Sequence, residues 1–251
     1  GYTMVMQPTK TDFDVMIEKL VDLGDQMHME GHNKDAKKLE TAVELLTWAE
    51  EHMNSDILTC IENRHSTRKF KQDKVADELL ESVVLAGRQA PSGKNKQQNH
   101  FLVIRDKDVI NKLIMLVKDE FAKMEVTPEN EDDIGGSITL AKKGKYDFCY
   151  NAPVLIVVAN QENYGNNIAD VSCAMQNMML AANALNLGSC WINQLRWLND
   201  NQVINDYLYS LGMREGEKVY ASLAVGYADS ASGLPNRKAL RMQGNSVRYI
   251  G

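Results

Sequence analysis

The stretch DVSCAMQNMMLAANALNLGSCWIN, residues 170–193, joins a long apolar helix pattern to a short strand pattern. Residues 170–187 are apolar on almost every face of a helix, which is typical of a helix buried inside a domain. Gly188 stands where a glycine C-cap is expected, and residues 189–193 have the pattern of a strand. The stretch therefore predicts a central helix that passes directly into a sheet.

Apolar periodicity elsewhere predicts that this helix belongs to an α+β domain with a small sheet. The predicted elements are helices over 77–88 and 107–124, strands over 100–105, 154–159 and 219–227, and a last extended piece at 246–250. Residues 127–145 are polar and contain glycines, so we expect a mobile loop there.

Two more helices are predicted ahead of this domain, within residues 12–53, with a break at Gly31-His32-Asn33. We interpret residues 1–55 as a helical hairpin extension and residues 56–251 as the main domain. Packing or dimer contact is the expected role of the hairpin, and shaping the mouth of a binding site is the alternative.

Composition argues against several classes of protein. The chain has 251 residues, of which 44% are hydrophobic and 25% charged, and its net charge of −6 does not favour a nucleic-acid partner. No apolar run reaches the roughly 20 residues of a membrane span. The first residues lack a signal-peptide pattern, so we expect a cytoplasmic protein without a membrane partner. The four cysteines form no CxxC pair, which predicts free thiols and no metal site.

The segment Arg64-His65-Ser66-Thr67-Arg68 places two guanidiniums and a hydroxyl within five residues. Arginine forks and a serine hydroxyl match the geometry and charge of a phosphate group. Taken alone, the segment is a weak signal, because a solvated basic turn is the more common explanation of such residues.

Three later segments also offer polar groups beside turns or strand ends. Pro91–Gln97 carries short polar side chains that could hydrogen-bond the rim of a planar heterocycle. In Gly188–Asn193, the backbone at Gly188 and Ser189 could closely approach a ring system. Arg237 and Lys238 are adjacent cations that follow a strand. Ordinary loop or core packing explains each segment by itself, and Cys190 is expected to be a buried structural thiol.

In this order, the segments resemble the nitroreductase family over residues 56–251. The resemblance is carried by RHSTR, by APSGKN-Q ahead of HFLVIR, by NAPVLIVV, by the helix that ends in LGSCWI, and by AVGYAD. It implies a small, mostly antiparallel sheet around a buried central helix, in a domain-swapped homodimer. It also implies FMN as cofactor, NADH or NADPH as electron donor, and a small acceptor of the nitroaromatic or quinone type.

The resemblance further implies which residues contact FMN, while the flavin N5 carries the chemistry and no side chain is catalytic. The implied phosphate contacts are Arg64, His65, Ser66 and Arg68, with Arg237 or alternatively Lys238. The implied contacts with the flavin ring are Pro91, Ser92 and Asn95 of the other subunit, and Gly188, Ser189, Ile192 and Asn193.

Two alternatives to this function remain open from the sequence. One is another flavin reaction of the same family, such as dehalogenation or flavin fragmentation. The other is a non-catalytic FMN-binding protein that acts as a redox sensor or store. The chain also departs from the family in one place, since Gln98-Asn99 follow Gln97 where members often have Pro-Trp.

Overall fold

The structure is a computed structural model that describes residues 10–51 and 57–251. Contacts divide the chain into two compact units between Cys60 and Ile61. The predicted boundary between residues 55 and 56 lies outside the described residues, so it stays a prediction.

The first unit contains the two predicted helices as a hairpin. Helix α1 spans Lys10–Met29 and helix α2 spans Asn33–Glu51. The chain turns between them at Gly31, whose φ of +80° is readily adopted by glycine. The two helices pack together, and Phe13 on α1 and Ala36 on α2 are buried.

The second unit confirms the predicted α+β fold, with one antiparallel sheet in the order β1-β2-β4-β3. The strands are β1 (His100–Ile104), β2 (Val154–Gln161), β3 (Gly188–Ile192) and β4 (Glu217–Gly226). The α-helices described after residue 56 are α3 (Ile57–Asn63), α4 (Asp77–Arg88), α5 (Lys107–Ala122), α6 (Gly136–Lys142), α7 (Asn167–Ala184), α8 (Gln194–Trp197) and α9 (Gln202–Ser210).

Strand β2 divides the core into two halves because its side chains alternate between the faces of the sheet. Leu155 and Val157 pack with α5, α6 and α9 on one face, whereas Ile156 and Val158 pack with α4 and α7 on the other. All four side chains are fully buried. Helices thus cover both faces, which explains why β2 is a continuous apolar run.

Helix α7 confirms the predicted central helix. The prediction that Gly188 caps this helix is wrong. The left-handed position is taken by Asn186, with a φ of +62°. The N–H of Leu187 donates to the oxygen of Ala182 over 2.8 Å, and the N–H of Asn186 donates to the oxygen of Asn183 over 3.2 Å. This is a Schellman ending, which asparagine can supply in place of glycine. Gly188 is therefore free to begin β3.

The expectation of a mobile loop over residues 127–145 was wrong. A π-helical turn, Glu131–Gly135, leads into α6, and Ile138 and Ala141 are buried. Two apolar residues three positions apart are enough to anchor this short helix, because packing rather than local propensity stabilises most helices in proteins.

None of the described helices is both long and apolar enough to cross a bilayer. The four cysteines are free thiols, and only Cys173 is exposed. Groups of three potential metal-binding side chains are absent from the described residues.

Candidate functional site

The segment Arg64–Arg68 lies along the start of β3, directly after α3. The N–H of Thr67 donates to the oxygen of Ser189 over 2.9 Å. Farther along, Phe70 forms an isolated bridge with Ala228, just after β4. The structure therefore brings together two of the segments that the sequence singled out, RHSTR and GSCWIN.

The cations of this segment converge near Cys190. Burial raises the pKa of the Cys190 thiol, and three neighbouring groups act in the opposite direction, namely Arg68, the Ser66 hydroxyl and Arg64. All three therefore lie within interaction range of Cys190 Sγ. Because burial dominates, the thiol stays protonated, which agrees with the expected structural role of Cys190.

Within residues 10–51 and 57–251, the charges of Arg64 and Arg68 are not paired with carboxylates. No ion pair joins either side chain to an acidic residue in the described part of the chain. Arg64 is half-buried, while Ser66 and Arg68 are exposed. The edge of the domain therefore presents two guanidiniums and a hydroxyl that can accept an anion.

The backbone of Lys238 lies beside this segment. His65 Nε2 lies 2.5 Å from the carbonyl oxygen of Lys238, which holds the two segments together. The Lys238 backbone N–H donates to Asn236 Oδ1 over 3.1 Å, and its side chain is exposed. We refer to Arg64, Ser66, Arg68 and Lys238 as the cationic edge.

Arg237, the preferred candidate from the sequence, binds the end of α7. Its Nη2 donates to the oxygen of Asn183 and to Asn186 Oδ1, each over 2.6 Å. The last carbonyl groups of a helix lack partners within the helix, and a cation there also complements the helix dipole. This geometry explains Arg237 as a cap of α7, and the choice between Arg237 and Lys238 as the phosphate contact stays a prediction.

Gly188 allows the segment Arg64–Arg68 to approach β3 closely. A Cβ at Gly188 would lie 2.6–2.8 Å from side-chain atoms of Thr67, closer than real contacts permit. Ser189 and Ile192 are buried, and Asn193 Oδ1 accepts from Trp191 Nε1 over 2.9 Å. Strand β3 is at the edge of the sheet, and no other strand of the described residues pairs with its outer side.

The other candidate loop, Pro91–Gln97, is compact and conformationally strained. Lys94, Asn95 and Gln97 each have a φ of +53°, a left-handed conformation that is uncommon for residues other than glycine. Ser92 Oγ accepts from the N–H of Gln97, and Gln97 Nε2 donates to Asn95 Oδ1, both over 3.0 Å. Non-glycine residues with positive φ concentrate at functional sites, because the surrounding structure must hold them there.

This loop and the cationic edge lie at opposite ends of α7. The N–H of Gly93 donates to Asp170 Oδ1, in the first turns of the helix, whereas Asn183 Nδ2, near its end, donates to Oδ1 of Asn63, the residue before Arg64, over 2.9 Å. Asp170 and Asn183 are 13 positions apart on α7, and a helix rises about 1.5 Å per residue, so the two points of attachment are roughly 20 Å apart. Within one chain, the two sets of predicted flavin contacts are therefore not brought together.

Sequence reasoning missed the residues that hold these segments in place. Asp170 fastens the loop, and Asn183 and Asn186 bind Arg237. A signal for Asp170 was present, since it is the only charged residue in the apolar stretch 170–193. The roles of Asn183 and Asn186 depend on where α7 ends, which the sequence pattern placed three residues too late.

A model of the nitroreductase family matches residues 61–227. Because this match covers most of the chain, the protein belongs to the nitroreductase family. The match begins after the helical hairpin, which it leaves unexplained.

Solved structures and curated proteins agree with this assignment. A nitroreductase with bound FMN from Bacteroides fragilis is 30% identical, with a TM-score of 0.68 over 78% of this chain and 100% of that one. A protein of Archaeoglobus fulgidus, provisionally named NADH dehydrogenase/NAD(P)H nitroreductase, is 25% identical over 68% of this chain and 85% of its own length. Iodotyrosine deiodinase from Hydra vulgaris is 27% identical over 76% of this chain and 73% of its own length.

Replacing Arg237 with Gln should destabilise the cofactor-free protein, because the end of α7 loses charged hydrogen bonds. We expect the free energy of unfolding to fall by about 1–3 kcal/mol. Lys238→Gln is the matched control and should change it by less than about 0.5 kcal/mol, since this side chain is exposed. Denaturant unfolding of both variants measures the difference. Equal stabilities would contradict the capping role of Arg237.

Proposed function

We propose that the protein is an FMN-dependent oxidoreductase that passes hydride from NADH or NADPH to a small acceptor of the nitroaromatic or quinone type. The observation that carries this proposal is the cationic edge, with two guanidiniums and a hydroxyl beside β3 and no neutralising carboxylate. Membership of the nitroreductase family and the FMN bound by the Bacteroides fragilis relative support it.

The cationic edge fits the phosphate end of FMN. A phosphate monoester carries nearly two negative charges, and arginine can bind it through two parallel hydrogen bonds. Ser66 and Lys238 would supply additional donors, and His65 would help to hold Lys238 in place. Each charge-assisted hydrogen bond contributes about 1.5–3 kcal/mol, so a few suffice to bind the cofactor without a glycine-rich phosphate loop.

Residues 188–193 would lie against the flavin ring. Gly188 brings the chain close to Thr67, whose N–H binds the Ser189 oxygen, and the remaining outer backbone groups of β3 would be available to the ring system. The hydride chemistry is supplied by the flavin N5 when FMN is bound. The role of these residues is to orient the ring and to hydrogen-bond its rim.

A second chain would complete each site. The loop that carries Pro91, Ser92 and Asn95 is attached near the start of α7, whereas the cationic edge lies beside the end of that helix. The loop would therefore not reach a flavin on the cationic edge of its own chain. Helix α7 also has an uncovered face, with Ala169, Cys173 and Gln176 exposed. A homodimer that packs across this face would bring the loop of one chain to the cationic edge of the other.

The C-terminal tail is consistent with a dimer that exchanges segments. Val247, Tyr249 and Ile250 are 76%, 92% and 90% exposed, which is unusual for three large apolar side chains within four residues. An extended apolar tail can add to a partner, as expected for residues 246–250. The tail therefore supports the proposed domain-swapped homodimer.

Reductive dehalogenation is the second candidate function. It is favoured by one observation, the 27% identity to the Hydra vulgaris iodotyrosine deiodinase over three quarters of the chain. The cationic edge serves both reactions equally, because it would hold FMN in each.

The purified protein should release FMN, and not FAD, when it is denatured. The cationic edge has the size and charge to bind one phosphate, and no described feature provides a site for an adenosine half. Chromatography of the released flavin measures this. Steady NADH or NADPH oxidation that depends on a nitroaromatic or quinone supports the reductase. Iodide release from iodotyrosine supports the deiodinase instead. A protein that binds no flavin would contradict both.

Replacing Arg64 or Arg68 with Ala should weaken FMN binding by about 1.5–3 kcal/mol, roughly ten- to a hundredfold, because a charged hydrogen bond to phosphate is lost. Fluorescence titration of the cofactor-free variants with FMN measures the affinity. Arg105→Ala is the matched control, since Arg105 follows β1 at the opposite edge of the sheet and pairs with Asp77. Unchanged FMN affinity in both arginine variants would contradict phosphate binding by the cationic edge and would indicate a solvated turn.

A further inference from the structure

Asp170 is a buried carboxylate at the start of α7 and is only 1% exposed. Its Oδ1 accepts from the N–H of Gly93 over 3.0 Å and from Asn166 Nδ2 over 2.6 Å. Its carbonyl oxygen accepts from Asn99 Nδ2 over 3.1 Å. Asp170 therefore binds the loop at Gly93 through its side chain and binds Asn99, just after the loop, through its backbone.

A buried charge without an ion pair needs a reason to be retained, because burial strongly disfavours it. Asp170 Oδ2 has no hydrogen-bond partner among the described residues. The position of Asp170 near the start of α7 offsets part of this cost, since the helix dipole favours a negative charge there. The contacts of Asp170 with Gly93 and Asn99 point to a role in holding the loop.

Tyr164 provides the second attachment of the same loop. Its hydroxyl donates to the oxygen of Gly93 over 3.3 Å, and Lys96 Nζ lies 4.8 Å from the centre of its ring. Burial and the neighbouring Asp170 raise the pKa of Tyr164, so the phenol keeps its proton and can donate. A Cβ at Gly93 would lie only 2.4 Å from the Tyr164 oxygen. Only glycine at this position allows the loop to approach Tyr164 so closely.

A cavity of about 150 Å³ adjoins the loop, and its lining includes Ser92, Gln97, Asn99 and Arg88 at the end of α4. Gln97, one of the three loop residues with positive φ, therefore borders open space. Hydrogen bonds within the loop hold its turns, and the contacts with Asp170 and Tyr164 fasten it to the rest of the domain.

We propose that Asp170 is a positioning residue, whose buried carboxylate holds residues 92–97 in the strained conformation that presents Asn95 to the flavin of the other subunit. The presentation of Asn95 to a flavin rests on the proposed function. The anchoring of the loop, by contrast, is a property of the chain itself and can be measured without FMN.

The first test is the mobility of the loop in the cofactor-free protein. Asp170→Asn keeps the size of the side chain but removes its charge, which weakens the attachment of Gly93. Trypsin cleavage after Lys94 and Lys96, followed by mass spectrometry, should become about tenfold faster or more. Cleavage after Lys142 and Lys143, in and just after α6, should keep its wild-type rate.

Glu120→Gln is the matched control for this test. Glu120, on α5, is also a buried carboxylate and is 7% exposed. Its partners are Lys123 and Asn201, which are not part of the loop. This variant should leave cleavage after Lys94 and Lys96 unchanged. Equal loop cleavage in wild type, Asp170→Asn and Glu120→Gln would overturn the proposal, and so would a uniform increase at all sites.

Tyr164→Phe keeps the test decisive if Asp170→Asn does not fold. It removes only the hydroxyl that donates to Gly93, and Tyr164 is half-buried, so the fold should persist. We expect a smaller but loop-specific increase in cleavage, about two- to fivefold. No increase in this variant would count against the attachment of the loop to Tyr164 and Asp170.

The second test asks whether Asp170 acts through the loop in the loaded enzyme. If it does, Asp170→Asn should lower kcat in the wild-type background but add little to Asn95→Ala, because residues that act as one unit are not additive. Glu120→Gln should have the same small effect in both backgrounds. A looser loop with unchanged kinetics would leave Asp170 as the anchor of the loop and would contradict the assignment of Asn95 in the proposed function.

Discussion

The length of α7 is the constraint on which the rest of the account depends. The helix is 18 residues long, and its attachment points for the loop Pro91–Gln97 and for the cationic edge are roughly 20 Å apart. Both ends are fastened by specific contacts, Asp170 to Gly93 at one end and Arg237 to Asn183 and Asn186 at the other. In the proposed function, a flavin on the cationic edge would therefore be met by a loop from another chain. The uncovered face of α7 and the exposed tail are consistent with the same proposal.

Much of the fold could be predicted because burial leaves a periodic trace in the sequence. Strand β2 is covered on both faces, so it appears as an unbroken apolar run, and α7 appears as a helix with few polar positions. Most of the cationic edge could also be predicted, since Arg64, Ser66 and Arg68 are close in sequence. That RHSTR and GSCWIN lie side by side is visible only in the structure, through the hydrogen bond from Thr67 to Ser189.

The errors concern features that are decided by packing rather than by local pattern. Residues 136–142 form α6 because Ile138 and Ala141 find a place in the core, although their surroundings are polar. Asn186 ends α7 in place of the expected Gly188, since either residue type can adopt the left-handed conformation. Which of the two adjacent side chains, Arg237 or Lys238, turns toward α7 is decided in the same way, and no pattern of residue types reveals it.

The central claim is that each flavin site takes its cationic edge from one chain and its loop from the other. A purified heterodimer of an Arg64→Ala chain and an Asn95→Ala chain, isolated through two different tags, tests this claim most directly. At an FMN concentration that fills wild-type sites but not weakened ones, homodimers of either variant should have much lower activity in NADH or NADPH oxidation than the wild type. One site of the heterodimer would combine an intact Arg64 with the partner's intact Asn95, so it should recover about half of the wild-type activity per dimer. A heterodimer as inactive as the two homodimers would contradict the account, because each chain would then supply both residues of its own site.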